Sequence, residues 1–146
     1  MAAHIAAIAA IRRANLESPL STRDGSSDFK AWIDVEFAER GAFTALVVLV
    51  EIGERSVTPI VSTYVNISAK IDWPEIVTLF AGVGIPWDGA SFFPATAPEG
   101  GPLEDAAARA RLIEIEQRVR AERLALNEGF FFDRHGQRIM VDIGPS

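Results

Sequence analysis

The segment AFTALVVLVEI, residues 42–52, constrains the fold more than any other. Read at the strand period it is apolar on both faces. A strand of that kind needs cover on both sides, so it belongs at the centre of a sheet. Its neighbours read as its partners. In FKAWIDVEF, residues 29–37, alternation puts Phe29, Ala31, Ile33, Val35 and Phe37 on one face. A helical stripe of Phe29, Trp32, Ile33 and Phe37 leaves Val35 off, so the strand period fits better. SVTPIVSTYVNIS, residues 56–68, reads as a third strand rich in Val, Ile and Thr. Pro59 has no N–H to give a ladder and marks an edge or a bulge there. Turns at AERG and GER connect the three. Residues 29–67 therefore predict a three-stranded antiparallel meander, with 42–52 central.

Helices are expected around this sheet. Residues 2–16 are alanine-rich, with Ile5, Ile8 and Ile11 at near-helical spacing. A polar, turn-rich linker, ESPLSTRDGSSD, follows. Asp72 is placed as an N-cap, with Pro74 in the first turn of a helix ending near Ala81. From Pro102 to Glu128 runs a long helix. Its apolar stripe is Ala108, Leu112, Ile115, Val119 and Leu126, broken at Glu122, and Gly129 ends it. Glu114–Arg118 and Glu116–Arg120 are expected as ion pairs along it. FFFDRHGQRIMVDI closes the chain as two short strands around Gly136. The class is α+β: a mainly antiparallel sheet, meander plus C-terminal hairpin, packed with helices in the order α-βββ-α-α-ββ. At 146 residues the chain is the size of one domain, 1–146.

Charge and composition narrow the function. A net charge of −6 disfavours nucleic acid, whose phosphates need clustered Lys and Arg. With no cysteine, disulfides, thiolate zinc sites and cysteine nucleophiles are excluded. No uncharged apolar run approaches a membrane span, so no membrane partner is expected. Arg12 and Arg13 follow the N-terminal apolar stretch instead of preceding it, which is not the order of a secretory leader. The expected place is the cytoplasm. Abundant alanine, with Lys30 and Lys70 the only lysines, suggests a GC-rich coding sequence from a bacterium or its virus.

Catalytic patterns are missing or better explained otherwise. His4 and His135 match no metal-ligand spacing. His135 beside Asp133 reads first as turn chemistry in DRHGQ. Asp34 and Glu36 on one face of a strand read first as a solvated edge. GVGIPWDG contains G-x-G, but no G-x-x-G follows into a helix and no strand precedes it, so it fails as a dinucleotide fingerprint. The arginines of the long helix are matched by acids and form a salt-bridged solvent face. No catalytic residue, metal site or cofactor is expected.

IPWDGASFFPATAPEGGP, residues 85–102, is the unusual stretch. Pro86, Pro94, Pro98 and Pro102 predict a loop, yet it carries Trp87, Phe92 and Phe93. Such rings either plug an open end of the core or form a binding surface. The split expected here buries Phe92 and displays Trp87. Trp87, Asp88, Ser91 and Phe93 are then the candidate partner-binding residues. The functional expectation is a non-enzymatic protein-interaction protein of immunity, chaperone or assembly type. It binds a protein partner partly through loop 85–102 and forms a homodimer. The alternative is a small-molecule binder or carboxylate-based enzyme using Asp34, Glu36, Asp88 or His135.

Overall fold

The structure, a computed structural model, describes residues 9–13, 26–69 and 71–143. The class is α+β, as expected. A four-stranded antiparallel sheet has the order β3-β2-β4-β5, where β2 is Phe43–Ile52, β3 Val57–Ile67, β4 Gly89–Ala95 and β5 Phe130–Asp133. Two further strands, β1 (Ala9–Arg13) and β6 (Ile139–Ile143), pair antiparallel in a separate ribbon. Helix α1 (Ser26–Arg40) and helix α2 (Trp73–Ala81) cover one face of the main sheet. Helix α3 (Asp105–Ala121), a 3₁₀ turn (Arg123–Glu128) and β6 cover the other.

β2 sits where its two apolar faces require. Phe43, Ala45, Val47 and Leu49 pack towards α1 and α2; Leu46, Val48 and Val50 pack towards α3. All of Phe43–Val50 is buried. β3 is one of the two edge strands. Its register against β2 shifts between Leu49 and Val50, so Pro59 lies beside a bulge. That is the setting in which a strand proline is tolerated.

Residues 29–37 are a correction. They form most of α1 and not a strand. Phe29, Trp32 and Ile33 are buried, and Phe37 is half-buried against the same cluster. Val35, the residue that spoiled the helical stripe, points outward and is 53% exposed. One off-stripe residue therefore outweighed a correct period. The surface of the helix is held by i,i+4 pairs, Lys30–Asp34 at 3.1 Å and Glu36–Arg40. It ends at Gly41, whose φ of 69° is the left-handed cap and whose N–H donates to the Phe37 carbonyl at 2.8 Å. The expected linker also loses Ser26–Asp28 to this helix.

β4 takes the missing strand's place in the sheet. It lies in the stretch read as a loop because of its prolines. Pro94 pairs with Ala45 of β2 but falls beyond the β5 ladder, which ends at Phe92. Proline is tolerated there because only one side of the strand is paired.

The expected helix over 2–16 is also corrected where it is described. Ala9–Arg13 is β1, in register with β6 from Ala9 opposite Ile143 to Arg13 opposite Ile139. A short alanine-rich helix has little stability of its own, and a ladder with β6 offers more. The rest of that range lies outside the described residues.

The long C-terminal helix is shorter than the stripe suggests. It begins at Asp105 and stops at Ala121. Arg123 folds back, donating to the carbonyls of Val119 and Arg120 at 2.8 and 2.9 Å and to that of Val57 at 2.7 Å. Its guanidinium thus fills the orphan acceptors of the helix end. Glu116 pairs with Arg120 at 3.1 Å as expected, whereas Arg118 takes Glu128 instead of Glu114.

Candidate interaction site

The layer between α1, α2 and the sheet is an aromatic cluster. Phe29 is its centre, with ring centroids 5.6 Å from Trp32, 5.1 Å from Trp73, 5.5 Å from Phe92 and 5.4 Å from Phe132. These are the offset and edge-on separations that aromatic pairs prefer. Trp87 joins at one border, 6.1 Å from Trp73 and 5.6 Å from Phe80.

The four side chains expected to meet a partner are therefore placed inward. Trp87 is 8% exposed and Phe93 9%. Ser91 is fully buried, and its hydroxyl donates to the Leu126 carbonyl at 2.7 Å. Asp88 is half-buried and clamps the end of β2: its carboxylate accepts from the Ile52 N–H at 2.8 Å, and its own N–H donates to Val50 at 2.8 Å. Phe92 is buried as expected; Trp87 is not displayed as expected. Pro86 and the Asp-Gly that follows do not turn the Trp87 ring outward, because Trp73 and Phe80 of α2 draw it inward.

The other candidates are also structural. On a helix, Asp34 and Glu36 point different ways, one to Lys30 and the other to Arg40. The Asp133 carboxylate accepts from the N–H groups of His135 and Gln137 at 2.8 and 3.0 Å, so DRHGQ is a side-chain-stabilised turn. Among the described residues no group of His, Asp and Glu is arranged to hold a metal ion. No helix among them is long and apolar enough to cross a membrane.

What reaches the surface near Trp87 is a groove. It occupies about 380 Å³ and is lined by Val77, Ala81, Gly84, Ile85, Pro86, Trp87 and Arg134. α2 supplies one wall. Its start is fixed by a capping box: the Asp72 carboxylate accepts from Glu75 N–H, and the Glu75 carboxylate accepts from Asp72 N–H, both at 3.0 Å. Trp73, Ile76 and Phe80 turn to the core, which leaves Val77 and Leu79 outside. The segment after the helix supplies the other wall. Ile85 is 45% exposed and Val77 37%, with the edge of Trp87 as floor. Arg134 stands on the rim, its backbone carbonyl held by Trp73 Nε1–H at 2.9 Å. Sequence reasoning missed Val77, Ala81 and Arg134. A signal was present: WPEIVTLFA holds more apolar residues than one buried stripe can use.

The chain matches no protein-family model, no curated protein and no solved structure.

Proposed function

We propose that this chain is a non-enzymatic interaction protein that engages a protein partner at the groove between α2 and the segment 84–87. The observation that carries this reading is the exposure of Val77 and Ile85 over the floor of Trp87. Scattered surface hydrophobics are ordinary, but neighbours that line one concavity are what a binding surface uses. The binding site thus shifts from the buried rings of the 85–102 stretch to the apolar walls at its entrance. Bacterial immunity, chaperone and assembly proteins are the kinds of molecule this description fits, acting in the cytoplasm. The small-molecule alternative is weaker because Asp34, Glu36 and Asp88 are each engaged by a partner within the fold.

The test is a two-hybrid screen of a bacterial genomic library with the full chain, followed by affinity measurement on purified pairs. Val77→Asp/Ile85→Asp places two charges on the groove walls and spares the core. A partner that loses more than about tenfold in affinity to that variant supports the site, since hot-spot losses of this size are typical. Partners that bind both proteins equally refute it. Unchanged melting of the variant shows that loss of binding is not loss of fold.

A further inference from the structure

Resting on that reading, we infer that the groove takes a peptide segment of the partner in which a large aliphatic or aromatic side chain lies next to a carboxylate. Two features of the site define this occupant. The walls and floor, Val77, Ala81, Ile85, Pro86 and Trp87, present apolar surface, so the inserted group is apolar. Among the described residues, Arg134 is the one charged residue of the lining. Among the described residues no carboxylate pairs with its guanidinium. Arg40, Arg109, Arg118 and Arg120 each hold one. Arg55, Arg111, Arg123 and Arg138 form no ion pair with a carboxylate among the described residues either, but none of them lines the groove.

The backbone that carries that charge is fixed. Trp73 Nε1–H fixes the Arg134 carbonyl, and Asp133 braces the two backbone N–H groups that follow it in the turn. Gly136 closes the turn at a φ of 82°, a conformation suited to glycine. Asp72 and Glu75, at the start of α2, are committed to its cap. An arginine presented from a rigid turn meets a planar carboxylate through two parallel hydrogen bonds. On a chain of net charge −6, a local cation beside an apolar groove also selects against basic segments.

Random-peptide phage display against the full chain tests this, with selected peptides then synthesised and titrated by fluorescence polarisation. The expected selection is enriched in Asp or Glu within a helical turn of Leu, Ile or Phe. Arg134→Gln should weaken those peptides about three- to tenfold, the range of a partly exposed ion pair at an interface. Replacing the peptide carboxylate by its amide should cost the native protein the same factor and cost Arg134→Gln nothing further, the signature of direct coupling. Peptides that bind Arg134→Gln undiminished, or that lack an acid, overturn the inference while leaving the groove intact if Val77→Asp/Ile85→Asp abolishes them. Peptides indifferent to the wall substitutions, or no enrichment at all, overturn the groove itself. A native dimer that the wall substitutions turn into a monomer would assign the groove to a second copy and overturn the peptide occupant.

Discussion

Trp87 stands between the aromatic cluster and the groove, so one side chain carries two roles. Its ring packs on Trp73 and Phe80 and leaves 8% of its surface to the outside. Trp87→Ala is therefore expected to cost about 3–5 kcal/mol, as buried aromatic truncations do. Phe92→Ala should cost a similar amount, because Phe92 is wholly buried and touches Phe29, Trp32, Trp73, Phe80 and Phe132. Urea melts of both variants measure this. A loss under about 0.5 kcal/mol for Trp87→Ala, the range of surface changes, would mean the ring is displayed after all. The burial of Phe92 was legible in the sequence, since adjacent aromatics between prolines need an anchor. That of Trp87 was not. Pro86 and the following Asp-Gly report how the backbone bends; which way the ring turns depends on Phe80 and Trp73, whose positions the local sequence does not encode.

Among the elements, α1 and α2 show opposite degrees of legibility. Every boundary signal of α2 is local: Asp72 as cap, Glu75 closing the box, Pro74 in the first turn and Gly82 after the end. Asp72→Ala should cost about 1 kcal/mol by removing that cap, read as a lower urea midpoint with an unchanged slope. For α1 the local pattern supports two periods, and only packing decides between them. As a helix it buries Phe29, Trp32 and Ile33 together; as a strand it would bury Val35 with Ile33. Val35→Lys is the discriminating substitution. It should change stability by less than about 0.5 kcal/mol, as exposed helix positions allow. A loss of about 2 kcal/mol or more would put Val35 in a core and contradict the helix. α3 shows a third case. Its stripe continues to Leu126, which is buried, but Arg123 ends the helix first by capping it.

At the scale of the molecule, the sheet has one long edge that self-association would use. β3 carries no charged residue from Val57 to Ile67, and it pairs only with β2 among the described strands. Edges are ordinarily protected by charge, and here Pro59 and the bulge protect one end alone. We expect a homodimer at micromolar concentration through antiparallel β3 pairing. Sedimentation velocity at about 100 μM should show it, far above a micromolar dissociation constant. Thr63→Lys should return the protein to monomer with its melting transition intact. A native protein that sediments only as monomer would remove the idea. A dimer indifferent to Thr63→Lys would move the interface elsewhere.

The sequence by itself determined the class, the inner position of β2, the limits of α2 and the capped turn around Asp133. Each follows from information inside a short window: a strand apolar on both faces must be covered on both, and cap and turn residues satisfy backbone groups a few positions away. The tertiary structure alone decided that residues 29–37 are a helix, that β4 enters the sheet despite Pro94, and that Ala9–Arg13 pairs with β6. In each of these the local chain is nearly balanced between two conformations. The balance is tipped by partners far away in sequence: Phe92 and Phe132 against Phe29, Ala45 opposite Pro94, and Val141 opposite Ile11. The groove has the same origin, because Val77, Ile85 and Arg134 become neighbours only when α2 and the β5–β6 turn pack on one sheet.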